Sequence, residues 1–153
     1  MVLQSELFKV TEVQISYNPK FKVSERSQIR SSNDAYRILI QQWDSGKIEF
    51  LEEFKILLLN RKSRVLRVVN ISHGGVAATA VDSKVVFASA LKACASSIIL
   101  CHNHPSGEID PSSEDISLTN KLKDGGVLLD LIIMDHLIIS KDTFYSFADE
   151  GLI

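Results

Sequence analysis

Cysteine, proline and tryptophan are scarce in this chain. Its 153 residues include two cysteines, three prolines and one tryptophan. Cys94 and Cys101 lack C-x-x-C spacing, so both read as buried thiols in a reducing compartment rather than as a disulfide. No apolar run approaches the ~20 residues that cross a bilayer. The first residues lack the basic, apolar and small-residue order of a signal peptide, so a soluble cytoplasmic protein with no membrane partner is expected. Excess charge is missing as well, since 17 basic and 19 acidic side chains leave a formal net charge of −2. That balance supplies no global field for holding nucleic acid and argues against it as a partner. The basic residues Lys20, Lys22, Arg26 and Arg30 read as a solvated arm, and those of 61–67 as turn residues.

What the chain does have is a hydrophobic fraction of 45%, enough for one compact domain with a real core. The expected division is an N-terminal strand or arm, residues 1–30, packing on a domain of residues 31–153. Loose alternation at Leu7, Val10, Val13, Ile15, Tyr17, Phe21 and Val23 predicts one or two edge-like strands, broken at Asn18-Pro19.

Helix and strand signals then alternate, as in an α/β protein. Ser31-Ser32-Asn33-Asp34 offers caps for a helix over 33–45 that stops at Gly46. Residues 54–59 and 65–69 predict a hairpin around the polar turn 60–63. Residues 71–76 read as a glycine-containing loop in which His73 is a solvent-facing histidine, and 79–81 as a short strand. Asp82 and Ser83 cap a helix over 83–95. A third helix, 113–124, is expected to end at Asp124-Gly125-Gly126, where glycine can take the left-handed conformation. Two strands, 129–134 and 137–140, flank Asp135-His136.

The most informative stretch is His102-Asn103-His104-Pro105-Ser106-Gly107, followed by Ser112-Ser113-Glu114-Asp115. It leaves the apolar run 97–101, which reads as a buried strand, and enters the third helix. Residues two apart in extended backbone share a face, and Pro105 pushes His104 towards that conformation. His102 and His104 therefore point the same way. Two neutral imidazoles and one carboxylate form the ligand set of a catalytic zinc site, which keeps one position open, and Asp115 is the natural third ligand. Ser112-x-x-Asp115 also reads as a helix capping box, a role compatible with ligation.

His102-x-His104, seven residues, then Ser112-x-x-Asp115 resembles the metal motif of the JAMM (MPN+) metalloprotease family. HNHPSG, together with 129–139 and 145–151, is similar to the RadC branch of that family, and the likeness runs from about residue 31 to the C-terminus. It implies a cytidine-deaminase-like JAB/MPN fold, with a mixed, curved sheet of six to eight strands flanked by helices. RadC relatives with an N-terminal helix-hairpin-helix segment have no counterpart for it in this chain, so its DNA-binding role is not carried over.

The resemblance further implies a Zn2+-dependent hydrolase of peptide or isopeptide bonds. His102, His104 and Asp115 would hold the metal, a glutamate on an upstream strand would be the general base, and Ser112 would donate to the oxyanion. The pattern E-x-F places the base at Glu52; Glu53 would face the other side of a strand, and the even spacing to Phe54 favours Glu52. Asp135 and His136 are implied neighbours of the site. Two other readings stand beside this one: a non-catalytic MPN scaffold and a DNA-repair-associated protein of the RadC type. Substrate and oligomeric state are left open.

Overall fold

The computed structural model describes residues 14, 16, 18–75 and 80–153. After a short 3-10 turn at Val23–Glu25 come helix α1 (Ser32–Ile40), strands β1 (Glu53–Leu59) and β2 (Val65–His73), and helix α2 (Ser83–Lys92). Strand β3 (Ser97–Asn103), helix α3 (Ser113–Leu128), and strands β4 (Ile132–Ile139) and β5 (Phe144–Ser146) complete the chain. The sheet runs in the order β2-β1-β3-β4-β5. Among the described residues only β3 and β4 pair in parallel, and α3 supplies the crossover that a parallel pair needs.

This mixed α/β arrangement has the expected class, but it holds five strands among the described residues where six to eight were expected. The strands anticipated over 5–23 lie largely outside the described residues. Ala80 and Val81 are not in a strand, and Thr79 is not described. Asp135-His136 does not split its segment either. Both residues are buried, yet their polar atoms find partners, so β4 continues through them as one strand. The β2 strand extends through residues 71–73, which were expected to be loop, because Ser72 and His73 pair with Phe54 and Glu53.

Every residue of β3 is buried, as a central strand covered on both faces requires. Its side chains alternate between two cores. Ile99 and Cys101 join Leu57, Leu59, Ala35, Leu39 and Trp43 on the α1 side. Ile98 and Leu100 join Ile56, Leu58, Val86, Ala90 and Leu122 on the side of α2 and α3. This parity continues to the strand's end, so His102 faces α3 while Asn103 faces the other way.

Helix ends differ from the sequence expectation for local reasons. Helix α1 closes at Ile40 because Gln42 and Trp43 donate to Leu39 and Ile40, tightening the last turn, and Asp44 then opens a new turn by accepting from Gly46. Helix α2 ends at Lys92, and Cys94 takes a left-handed φ of 55° and is exposed rather than buried. Helix α3 runs through both glycines expected to end it. A Cβ on Gly125 would lie 2.9 Å from the Phe87 ring, and one on Gly126 only 2.2 Å from the Leu131 carbonyl oxygen. Both therefore serve close packing, and Asp130, with φ of 53°, takes the left-handed position after the helix.

Gly126→Ala consequently forces a methyl group against backbone. The expected cost is about 3 kcal/mol, seen as a lower urea midpoint at unchanged slope. A midpoint equal to the parent's would show that the 126–131 turn yields freely.

Candidate metal centre

Strand β3 and the first turn of α3 build the site. Leaving β3, His104 still pairs with the sheet, its N–H donating to the Ile139 carbonyl at 3.2 Å. Gly107, with φ of 82°, then turns the chain, and its N–H donates to the His104 carbonyl. The same loop brings the Glu108 carbonyl to 2.7 Å from His104 Nδ1. Ser112 caps α3 by accepting from the Asp115 N–H at 3.1 Å, and its own N–H donates to Asp115 Oδ2 at 2.8 Å. This reciprocal box orients the Asp115 carboxylate towards β3.

Three side chains converge there. Asp115 Oδ1 lies 3.2 Å from His102 Nε2, and Oδ2 lies 3.5 Å from His104 Nε2. The two Nε2 atoms are 3.0 Å apart. One ligand atom from each of His102, His104 and Asp115 falls within 4.8 Å of the others, so the group can hold a metal ion. Burial works against the Asp115 charge, but the His102 and His104 imidazoles that face it outweigh burial and hold the carboxyl far below the usual range. The facing Asp115 carboxylate in turn raises the pKa of His104 against the opposing effect of burial, with smaller contributions that include the charge of Glu52. Two imidazole nitrogens and a persistent carboxylate are donors suited to a divalent ion such as zinc.

His136 lies directly behind His102, its Nε2 2.8 Å from His102 Nδ1, and Thr119 Oγ1 is 2.6 Å from His136 Nδ1. Burial keeps the pKa of His136 well below the ordinary value. The Phe54 ring stacks on His102 at 5.9 Å, and Phe147 on His136 at 4.7 Å. Asp135 has different work. It accepts from the Ser146 hydroxyl and from the N–H groups of His136 and Ala148, tying β4 to the C-terminal segment.

Of the two candidate glutamates, Glu53 faces the α1 side, away from the three converging side chains. Glu53 is buried and pairs with Lys55 at 3.0 Å and with the exposed His73 at 3.5 Å. Lys55 Nζ lies over the Trp43 ring, 4.7 Å from its centre, on the α1 side. His73 is thus placed beside Glu53 rather than in the His102, His104 and Asp115 group. Glu52 precedes β1 by one residue, two before Phe54, which is the register partner of His102. Its carbonyl accepts from Gly74 at 2.8 Å, and its N–H donates to Gly75 at 3.4 Å.

Two contributors escaped the sequence reading. Asn103 is fully buried; its Oδ1 accepts from the Glu53 N–H, and its Nδ2 donates to the carbonyls of Ile48 and Leu51. Its signal was a polar residue on the opposite face of an otherwise apolar strand. Thr119 stands one helical turn after Asp115, a spacing that puts both on one face of α3.

Residues 29–152 match the family model described as the RadC-like JAB domain. The chain is 46% identical over 125 residues to a UPF0758 protein of Flavobacterium johnsoniae, covering 82% of this chain and 53% of the relative. It is 40% identical over 138 residues to a UPF0758 protein of Porphyromonas gingivalis, covering 88% and 59%. A UPF0758 protein of Methanococcoides burtonii is 39% identical over 133 residues, covering 87% and 57%. The chain spans a little over half the length of these curated relatives, whose shared name states no activity. No helix among the described residues is long and apolar enough to cross a membrane. With the match extending over nearly all of α1 to β5, the chain belongs to the RadC-like JAB domain family.

Proposed function

We propose that the chain is a zinc-dependent hydrolase of peptide or isopeptide bonds. The observation carrying this reading is the convergence of His102, His104 and Asp115 at the end of β3, with Glu52 one residue before the neighbouring strand β1. A bound zinc ion supplies Lewis acidity and brings the pKa of water down towards ~7. Glu52 takes a proton from the attacking water and delivers it to the departing amine nitrogen, as a single well-placed carboxylate can. The Ser112 hydroxyl, which accepts from the Asp115 N–H, keeps its own hydrogen to donate to the oxyanion that develops on the carbonyl. The serine is not a nucleophile on this reading, since water attacks.

The test is elemental analysis of protein purified without a metal-affinity tag, comparing the parent with His104→Ala. About one zinc per chain, lost in the variant, is the expected result, followed by turnover in a screen of peptide and isopeptide substrates. Failure of the parent to take up zinc, even after incubation with it, would favour a partner-binding scaffold instead.

A further inference from the structure

We infer that Thr119 and His136 form a positioning pair that fixes the Nδ1–H tautomer of His102 and leaves its Nε2 bare for the metal ion. The inference rests on the metal-binding reading above and adds residues to it. The reasoning follows hydrogens along a chain of contacts. The Asp115 main-chain carbonyl can only accept, and Thr119 Oγ1 donates to it at 2.7 Å. That bond uses the single hydroxyl hydrogen, so towards His136 Thr119 can only accept. At 2.6 Å, His136 Nδ1 must then carry the hydrogen. The buried neutral ring has one N–H, and its Nε2 therefore accepts from His102 Nδ1 at 2.8 Å. His102 Nε2 is left as a lone pair directed at Asp115.

His104 reaches the same state by a shorter route. Its Nδ1 lies 2.7 Å from the Glu108 carbonyl, which can only accept, so in the neutral ring its Nε2 is bare as well. Two lone pairs and a carboxylate then share one space, an arrangement that a cation satisfies. Run in reverse, the Thr119 hydroxyl would donate to His136 and His102 Nε2 would carry hydrogen, closing the position. The bond from Thr119 to the Asp115 carbonyl opposes that direction. Helix α3 thus contributes twice, with Asp115 as a ligand and Thr119, one turn later, as the anchor that orients another ligand through His136.

Long-range 1H–15N correlation spectra of the imidazoles in metal-free protein, near neutral pH, report each tautomer. Thr119→Val keeps the shape and removes the hydroxyl, and Thr119→Ser keeps the hydroxyl. The parent and Thr119→Ser are expected to show His136 as Nδ1–H. Thr119→Val is expected to lose that form and to bind zinc about 10–100-fold more weakly in competition with a chromophoric chelator. Zinc binding by Thr119→Val at parental affinity, a parent His136 carrying hydrogen on Nε2, or weak binding by Thr119→Ser would each overturn the inference. The spectra need no metal, so a parent that fails to bind zinc while showing His136 as Nδ1–H would count against the metal reading and still support the direction of the relay.

Discussion

Replacing Asn103 with alanine is expected to remove about 2–6 kcal/mol of unfolding free energy, the cost of two buried polar groups left without partners at ~1–3 kcal/mol each, with a half-buried third adding less. Those groups are the Glu53 N–H, 2.8 Å from Oδ1, and the carbonyls of Ile48 and Leu51, 2.7 and 2.8 Å from Nδ2. Asn103 is fully buried at the end of a central strand, and a cavity there has no ready access to water. Domains of this size are stable by about 5–15 kcal/mol, so the variant stands at the edge of folding. Urea denaturation followed by far-UV circular dichroism measures the loss. A change below about 1 kcal/mol would mean that the segment 48–53 finds other partners. Asn103→Asp is a harsher exchange, since it turns a carboxylate oxygen towards two carbonyls.

The second large effect concerns chemistry rather than stability. Glu52→Gln keeps the size of the side chain and removes its basicity. If Glu52 moves the proton, turnover should fall by about 10^2–10^4-fold while zinc per chain stays at the parental level. The backbone should tolerate the change, because residue 52 is held through its own N–H and carbonyl by the glycines at 74 and 75. Glu53→Gln provides the contrast. It weakens a buried pair with Lys55 on the opposite face of the sheet, so its effect belongs in a stability assay. Initial rates and metal content of both variants decide the matter. Parental turnover in Glu52→Gln would remove Glu52 as the base, and a parallel loss of zinc would make its role structural.

Much of the site was legible because strand parity and helix capping are local. The two-residue spacing of His102 and His104 put both on one face, and Ser112-x-x-Asp115 marked the turn that brings a carboxylate opposite. The structure joins the three side chains and shows Asp115 serving the cap and facing the imidazoles together. Contributions that depend on distant pairing were illegible. Asn103 satisfies groups about fifty residues upstream in the chain, and no window of sequence contains that relation. His136 was marked by resemblance, but its link to Thr119 depends on how α3 crosses the sheet. The glycines at 125 and 126 misled for a different reason. Glycine ends helices when φ must be positive and enters them when a neighbour leaves no room for Cβ, and only packing against Phe87 and Leu131 distinguishes the two.

The proposed metal ligands lie in one continuous segment, 102–115, whereas Glu52 adjoins the β1–β2 hairpin, which among the described residues joins the rest of the sheet along a single ladder to β3. Native proteins open in cooperative pieces that often coincide with such motifs, and β1, buried along its whole length, puts this hairpin at the stable end of their range. An excursion that lifts it from β3 would separate the proposed base from the proposed metal ligands and would also strip His102 of its Phe54 partner. On the proposed reading, a partner that gripped or released the hairpin would act on the base and on one metal ligand together.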